Sequence, residues 1–270
     1  MIEVTFKEKD TTRNGWILED GRYYYFRDGD MVTGWVRSGS WYYLDPDNYY
    51  MVTGWNQIEG STYYFTESGS MVTGWKQIAG AWYYFENSGA MAKNWKKLGN
   101  KWYYLERDSG AMLTGWYTDG DKEYYLASDG AMTTGWKKID DSWYYFAESG
   151  ALTKGWKSIG GKWYFLDSEG KMVTGLMRDG SVWYYFESSG AMATGWKKID
   201  GDWFYFESSG AMKTGWLKSG SDWYYLETYG VMVTGWKQIG GSWYYFYDNG
   251  IMAYDTTING YELGSNGKMK

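Results

Sequence analysis

Residues 195–206 read GWKKIDGDWFYF, and this stretch decides the fold. Asp200-Gly201 suits a two-residue type I′ turn, because both central positions of that turn need a positive φ. Apolar-rich runs precede and follow the pair, so the turn would place Ile199 opposite Asp202 and Trp196 opposite Tyr205. The stretch therefore predicts a β-hairpin.

The two faces of this hairpin carry different residues, since side chains alternate along a strand. Trp196, Trp203 and Tyr205 share one face, whereas Phe204 and Phe206 lie on the other and are expected to form core. An isolated two-stranded hairpin is marginally stable in water. The hairpin is therefore expected to stack on neighbours of the same kind.

The same unit recurs at a spacing of 19 to 21 residues along nearly the whole chain. Between Gly15 and Met252 we count twelve units, with Leu176 once in place of the Gly-Trp tryptophan. This period predicts an all-β fold, a solenoid of stacked β-hairpins in which each unit contacts its neighbours. Residues 1–14 are expected to be a leader or linker remnant, residues 15–252 the repeats, and residues 253–270 an atypical C-terminal cap.

Composition excludes several classes of function. The 270 residues include 20 Trp and 30 Tyr but no Cys and no His, so thiolate chemistry and the usual general base are absent. The net charge of −6 argues against nucleic-acid binding. Acidic residues that follow each aromatic cluster form a ladder rather than one differentiated catalytic pair. We therefore expect no enzyme activity, no cofactor and no metal site.

No apolar run is long enough to span a bilayer, and residues 1–10 lack the apolar centre of a secretory signal. The expectation at this stage is a chain with no membrane-spanning segment and no signal peptide. Export would then depend on an N-terminal part that has been removed or on another route.

The repeated aromatic residues predict a binding site in each unit. A pair of tryptophans, a methionine and a tyrosine form a cage without a hydrogen-bonding group at its base, and its natural guest is a quaternary ammonium. Three cation–π contacts supply about 4 kcal/mol, which corresponds to a dissociation constant near 1 mM. A row of such cages on a polymeric ligand gains about 10² to 10⁴ in avidity.

Residues 195–216, GWKKIDGDWFYFESSGAMKTGW, closely resemble the choline-binding (cell-wall-binding) repeat of pneumococcal and related surface proteins. The resemblance covers about residues 15–252, and residues 256–261, TTINGY, resemble the closing segment of such modules. It implies a left-handed superhelix with about three hairpins per turn and sites between consecutive hairpins. It also implies attachment to phosphocholine on teichoic and lipoteichoic acids at a Gram-positive cell surface.

Each implied site combines the Gly-Trp tryptophan and second-strand tryptophan of one hairpin, the connector methionine that follows, and a tyrosine of the next hairpin. Six full sets are Trp35, Trp41, Met51, Tyr64; Trp75, Trp82, Met91, Tyr104; Trp95, Trp102, Met112, Tyr125; Trp156, Trp163, Met172, Tyr185; Trp196, Trp203, Met212, Tyr225; and Trp216, Trp223, Met232, Tyr245. Two conservative variants are Trp16, Tyr23, Met31, Tyr43 and Trp136, Trp143, Leu152, Phe165. The last pair, Trp236 and Trp243 with Met252, lacks a clear tyrosine partner, for which Tyr261 is the candidate.

Three units depart from the pattern. Thr62 and Glu123 each replace a second-strand tryptophan, and Leu176 replaces a Gly-Trp tryptophan. These losses fall in every third hairpin, so with three hairpins per turn they would share one edge of the superhelix. We hypothesise that this edge does not bind choline and is open to another contact; drift is the alternative.

Two other functions remain open. The chain is alternatively the targeting half of a wall hydrolase whose catalytic domain lies elsewhere, or a repeat domain that binds glucan or another carbohydrate. Glucan-binding repeats favour Tyr where this chain has Trp, which counts against the second. Whether the chain forms a homodimer through its terminal hairpins, and what it delivers, are also open.

Overall fold

The structure is a computed structural model that describes residues 11–270. The chain divides into two compact units, Met1–Thr133 and Thr134–Lys270, the first described from residue 11 onward. Both units consist of short antiparallel strands joined in pairs, apart from one three-stranded sheet at the start of the first unit, with no α-helix among the described residues.

The strands of the first unit are β1 (Gly15–Glu19), β2 (Arg22–Arg27), β3 (Asp30–Met31), β4 (Gly34–Ser38), β5 (Ser40–Leu44), β6 (Gly54–Ile58), β7 (Ser61–Phe65), β8 (Gly74–Ile78), β9 (Ala81–Phe85), β10 (Asn94–Leu98), β11 (Lys101–Leu105), β12 (Gly115–Asp119) and β13 (Lys122–Leu126). Those of the second unit are β14 (Gly135–Ile139), β15 (Ser142–Phe146), β16 (Gly155–Ile159), β17 (Lys162–Leu166), β18 (Gly175–Asp179), β19 (Val182–Phe186), β20 (Gly195–Ile199), β21 (Asp202–Phe206), β22 (Gly215–Ser219), β23 (Asp222–Leu226), β24 (Gly235–Ile239), β25 (Ser242–Phe246), β26 (Thr256–Ile258) and β27 (Tyr261–Leu263).

The hairpin of residues 195–206 has the predicted register. Ile199 lies opposite Asp202, and Trp196 lies opposite Tyr205. The turn residues Asp200 and Gly201 have φ values of 50° and 100°, which is the left-handed region that a type I′ turn requires. The prediction of a hairpin with an Asp-Gly turn is confirmed.

Consecutive hairpins are tied together by the connectors between them. In the second unit, Met252 follows the hairpin β24–β25, and its N–H donates at 2.8 Å to the carbonyl of Trp223 in β23, the second strand of the preceding hairpin. The next residue, Ala253, donates to Tyr245 of the adjacent hairpin, also at 2.8 Å. Because one connector bonds to two successive hairpins, it holds the face of one against the face of the other.

The core lies along the inside of each stack. The last apolar residue of the second strand is fully buried in hairpin after hairpin, with 0% of its surface exposed. These residues are Leu44, Phe65, Phe85, Leu105, Leu126, Phe146, Leu166, Phe186, Phe206, Leu226 and Phe246. Each pairs across the hairpin with the first residue of the first strand, which is the glycine of the Gly-Trp motif or, in one case, Asn94.

The all-β, hairpin-repeat fold is confirmed, and the contacts between successive hairpins fit a solenoid. Its handedness and the number of hairpins per turn stay predictions. The predicted cap, residues 253–270, contains a further short hairpin, β26–β27. Most of the predicted N-terminal remnant, residues 1–10, lies outside the described part of the chain. Within residues 11–270 no helix is long and apolar enough to cross a membrane.

Candidate aromatic cages

Two walls of each cage come from one hairpin. Trp216, in β22, and Trp223, in β23, point to the same face, with ring centroids 6.1 Å apart and ring planes at 87°. The perpendicular arrangement leaves a corner between the two indoles. Among residues 11–270 the same pairing, at 6.3 to 6.5 Å, is found in five further hairpins. These pairs are Trp35–Trp41, Trp75–Trp82, Trp136–Trp143, Trp156–Trp163 and Trp196–Trp203.

The third wall comes from the next hairpin. The ring of Tyr244 in β25 lies 5.0 Å from that of Trp216, at an angle of 71°. Tyr244 projects from the face of its hairpin opposite to the one that carries Trp236. Each hairpin therefore directs its tryptophans at the hairpin that follows it. Its opposite face, which carries Tyr244 in this case, meets the tryptophans of the hairpin that precedes it.

A methionine completes the cage. Met252 follows β25, and its backbone bond to the Trp223 carbonyl holds it beneath the two tryptophans. It is 7% exposed, whereas Trp223 is 40% exposed. A cavity of about 590 Å³ is lined by both tryptophans, Tyr244 and Met252. A buried thioether floor under accessible indole walls is what an ammonium cage requires.

Two other cavities repeat this arrangement. One of about 330 Å³ is lined by Trp136, Trp143, Tyr164 and Met172, together with two serines of the hairpin after next. Another of about 370 Å³ lies in the first unit, with the same four positions filled. Its lining residues include Trp35, Trp41, Tyr63 and Met71.

Within residues 11–270, ring contacts and methionine hydrogen bonds extend this grouping to nine cages that lie wholly within one unit or the other. They are Trp16, Tyr23, Tyr42, Met51; Trp35, Trp41, Tyr63, Met71; Trp75, Trp82, Tyr103, Met112; Trp95, Trp102, Tyr124, Met132; Trp136, Trp143, Tyr164, Met172; Trp156, Trp163, Tyr184, Met192; Trp196, Trp203, Tyr224, Met232; Trp216, Trp223, Tyr244, Met252; and Trp236, Trp243, Tyr261, Met269.

The structure brings together the predicted tryptophans but groups the tyrosines and methionines differently from the sequence-based sets. Those sets join Trp216 to Met232 and Tyr245. In the structure Tyr245 lies 5.2 Å from Trp236 within its own hairpin, and the Met232 N–H donates to the carbonyl of Trp203. Each set therefore needs the tyrosine one residue earlier and the methionine one repeat later. The binding role of each residue stays a prediction.

Strand alternation holds the signal that would have found these partners. Tyr245 shares a face with Trp236, so it cannot also face the preceding hairpin, whereas Tyr244 can. The predicted tyrosines or phenylalanine of the other sets likewise lie beside the Gly-Trp position of their own hairpin. They are Tyr43, Tyr64, Tyr104, Tyr125, Phe165, Tyr185 and Tyr225.

The ends of the predicted series also differ. At the N-terminal end, Trp16 packs against Tyr42 at 4.7 Å, and Met51 rather than Met31 bonds to the Tyr23 carbonyl. At the C-terminal end, Trp236 packs against Tyr261 at 5.5 Å. The Met269 N–H donates to the Trp243 carbonyl, so this cage has all four groups. Tyr261 is the partner that the sequence suggests, whereas Met269 takes the place expected for Met252, which bonds to Trp223 instead.

The substituted units lack one wall. Thr62 leaves Trp55 with 43% of its surface exposed, since no second indole covers it, although Tyr83 still packs against it at 4.9 Å. The Thr62 hydroxyl donates to the Gln57 side chain at 3.0 Å. Leu176 lies where a Gly-Trp indole would face Trp183 and is 45% exposed. Glu123 lies opposite Thr118, on the same hairpin as Trp116.

Two cages carry a carboxylate next to an indole. The Nε1–H of Trp95 donates to Oδ2 of Asp119 at 2.9 Å, and that of Trp156 donates to Oδ2 of Asp179 at 2.9 Å. Both aspartates end the first strand of the following hairpin, where other hairpins have isoleucine, such as Ile239. The negative charge lies beside a wall that would contact a cation.

Ion pairs between one hairpin and the segment that precedes it accompany the cages. Lys96 lies 2.5 Å from Glu86, and Lys197 lies 2.6 Å from Glu187. In both pairs the lysine follows the first-strand cage tryptophan and the glutamate follows the preceding hairpin. Such part-exposed pairs contribute about 0 to 1 kcal/mol each, so they help to register neighbouring hairpins without dominating stability.

Family comparisons agree with the repeat pattern. The family model described as "Choline-binding repeat" matches residues 52–75, 72–114, 113–154, 153–194, 193–234 and 233–266. The model described as "Putative cell wall binding repeat" matches residues 14–30. No curated protein matches the sequence.

Solved structures show the same fold. CbpJ from Streptococcus pneumoniae TIGR4 is 35% identical over 88% of this chain and 100% of its own, with a TM-score of 0.71. Choline-binding protein F from Streptococcus pneumoniae is 30% identical over 96% of this chain and 99% of its own, with a TM-score of 0.65. The modular autolysin LytC of the same species is 26% identical over 81% of this chain but only 52% of its own, with a TM-score of 0.54.

Proposed function

The chain belongs to the choline-binding repeat family, and from this premise we propose that it is a non-catalytic module that anchors a surface protein to the bacterial cell wall. The ligand is phosphocholine on teichoic and lipoteichoic acids, held without a covalent bond. The module acts at the Gram-positive cell surface.

The observation that carries this proposal is the cage of Trp196, Trp203, Tyr224 and Met232, which recurs with the same geometry along both units. The two indoles are perpendicular, 6.5 Å apart, and Tyr224 lies 4.8 Å from Trp196. A trimethylammonium group offers no N–H, so it loses no hydrogen bond on entering a site walled by rings and floored by a thioether. A primary ammonium would lose its hydrogen bonds to water.

The number of cages supports a polymeric ligand. One cage binds choline with a dissociation constant of about 1 mM, given roughly 0.5 to 2 kcal/mol per cation–π contact. Such an affinity does not retain a protein on a surface. Several cages on a polymer that carries many choline groups do, because each further contact is intramolecular.

The neighbouring structures support the cell wall as the destination. Choline-binding protein F has been crystallised in the presence of a peptidoglycan analogue, a tetrasaccharide-pentapeptide. LytC, an autolysin, has been crystallised with a synthetic peptidoglycan ligand. Because this chain spans 52% of LytC, a second candidate is that it is the targeting part of a wall hydrolase. A zymogram on choline-containing walls stays blank under the first proposal.

Elution from a DEAE column tests the ligand class. We expect free choline at tens of millimolar to release the folded chain, whereas dextran does not. Release by dextran would support a glucan-binding repeat domain instead. Retention in the presence of choline would contradict the proposal.

Calorimetric titration with choline tests the cage. Trp203→Ala removes one wall of a complete cage, so the number of choline molecules bound falls by about one. Trp183→Ala is the matched control, because it removes a tryptophan of the same strand position and nearly the same exposure, 40% against 41%, from the hairpin that has Leu176. An equal loss in both variants would show that the paired indoles are not the binding unit.

A further inference from the structure

The cage at Trp216 is larger than the cage at Trp136 and has a different rim. Its cavity measures about 590 Å³, against about 330 Å³ for the cage at Trp136 in the same unit. The four cage positions are equivalent in the two. The additional space therefore comes from residues around the rim rather than from the walls and floor.

Tyr254 is the first of these rim residues. It lies two positions after the floor methionine Met252, where the Trp136 cage has Thr174 two positions after Met172. Tyr254 lines the cavity and is 55% exposed. The threonine-to-tyrosine difference adds a fourth, accessible aromatic ring at the mouth of an otherwise standard cage.

Asn266 is the second rim residue that differs between the two cages. Its Oδ1 accepts the backbone N–H of Lys268 at 3.1 Å, which leaves the amide NH₂ as a donor at the cavity. At the same place the Trp136 cage has Ser189, whose Oγ accepts the N–H of Ala191 at 3.3 Å. Two serines also line the cavity: Ser265, which has its counterpart Ser188 in the Trp136 cage, and Ser221, whose Oγ donates to Oδ1 of Asp222 at 3.3 Å.

An exposed aromatic ring beside an amide donor and two hydroxyls suits a sugar. The apolar face of a pyranose packs on an aromatic ring, while its hydroxyls exchange hydrogen bonds with polar side chains. Phosphocholine on a glycan is an ester of a sugar hydroxyl, so the ammonium, the phosphate and the sugar ring follow one another along one ligand. The amide of Asn266 is a suitable donor to the phosphate oxygens.

We propose that the Trp216 cage is a composite site that holds choline between its walls and the phosphate and sugar that bear it on the rim formed by Tyr254 and Asn266. The Trp136 cage, without this rim, recognises the ammonium head alone. This inference rests on the proposed function, because choline must first occupy the cage. It adds a preference for sugar-linked phosphocholine at one site.

The test uses the full chain labelled with 5-fluorotryptophan, with the ¹⁹F resonances of Trp223 and Trp143 assigned from Trp→Phe variants. The probes are choline and a methyl glucopyranoside that carries phosphocholine on its 6-hydroxyl. At Trp223 we expect the sugar ester to bind about tenfold more tightly than choline, the sum of one ring contact and one hydrogen bond. At Trp143 the two probes bind equally.

Tyr254→Thr gives the rim the residue of the Trp136 cage, and so the variant is expected to fold. It should reduce the preference for the ester at Trp223 to about threefold, the share of the Asn266 hydrogen bond, and leave choline affinity unchanged. Equal binding of the two probes at Trp223 in the native chain would overturn the inference while leaving the proposed function intact. An equal loss of affinity for choline and for the sugar ester in Tyr254→Thr would also overturn the inference. A failure of choline to shift any tryptophan resonance would instead refute the proposed function.

Discussion

Glycine and methionine are matched at the floor of each cage. Gly250 has a φ of 81°, and a Cβ placed on it would overlap the Sδ and Cε atoms of Met232, the floor of the Trp196 cage. The same approach recurs between Gly89 and Met71 in the first unit. The glycine is thus required for two reasons. It permits the left-handed turn, and its missing Cβ leaves room for the methionine thioether beneath the indoles.

Gly250→Ala is expected to lower both stability and choline binding. The left-handed backbone costs about 1 to 2 kcal/mol, and the displaced methionine adds to the loss. Gly241→Ala is the matched control, since Gly241 has a φ of 82° and a Cβ added there would meet nothing within 4 Å. Urea denaturation and choline titration of both variants separate the two effects. Equal choline affinity in the two would show that the methionine floor is not required.

Asp119 adds charge to an otherwise apolar cage. Asp119→Asn keeps an oxygen that accepts the Trp95 N–H and removes the negative charge. We expect choline affinity at Trp95 to fall about threefold and its salt dependence to weaken, since a neighbouring carboxylate attracts the cation through a partly screened field. Asp121→Asn, in the same turn, is the control. Unchanged affinity in Asp119→Asn at low salt would mean that the aspartate only orients the indole.

At the scale of the hairpin, one buried residue per repeat supports the stack. Phe206 is fully buried, and so are Phe186 and Leu226, which occupy the same strand position in the two flanking hairpins. Phe206→Ala is expected to cost about 3 to 5 kcal/mol by leaving a cavity. Phe206→Leu, a residue already used at this position, should cost about 1 kcal/mol. Urea denaturation measures both, and equal costs would show that volume at this position is unimportant.

The hairpin with Thr62 allows a gain of function. Thr62→Trp restores the second indole opposite Trp55, whose ring already contacts Tyr83, while the Met91 N–H already donates to the carbonyl of residue 62 at 2.7 Å. We expect calorimetry to detect about one additional choline per chain. Thr62→Leu, which adds apolar volume without a ring, is the control. An unchanged stoichiometry in Thr62→Trp would support the hypothesis that the edge with Thr62, Glu123 and Leu176 does not bind choline. The backbone geometry, rather than the side chain at residue 62, would then exclude choline.

For the whole molecule, the cages of the described residues lack groups that titrate near neutral pH. Burial raises the pKa of Tyr224, with a smaller contribution from the charge of Asp222. Burial also raises the pKa of Tyr117, helped by a hydrogen bond with Tyr104. Choline itself keeps its charge at every pH, so binding should not change between about pH 6 and 9.

Stability is expected to fall in alkali. A folded-state tyrosine pKa above its ordinary value of about 10 contributes stability that is complete below pH 10 and is lost as pH rises through the folded pKa. The melting temperature should therefore be level from about pH 7 to 9 and decrease above about pH 10. Tyr224→Phe should reduce this alkaline loss, because it removes one of the titrating groups. A decrease that begins near pH 7 would contradict this assignment to tyrosine.

The repeat, the hairpin and the class of ligand follow from the sequence alone. Asp200-Gly201 specifies its turn locally, and a period of 20 residues places the same aromatic groups in every unit. These features depend on backbone conformation and strand alternation within about a dozen residues, which no distant contact needs to supply.

Only the tertiary structure decided which methionine lies beneath each pair of tryptophans. The Met252 N–H reaches back over a complete hairpin to the Trp223 carbonyl, whereas Met232, which follows Trp223 directly, bonds to Trp203. Hydrogen bonds between successive hairpins set that pairing, and every repeat offers the same residues at the same spacing. A repetitive sequence predicts which types of residue form a cage, but the stacking of one hairpin on the next determines which repeat supplies each of them.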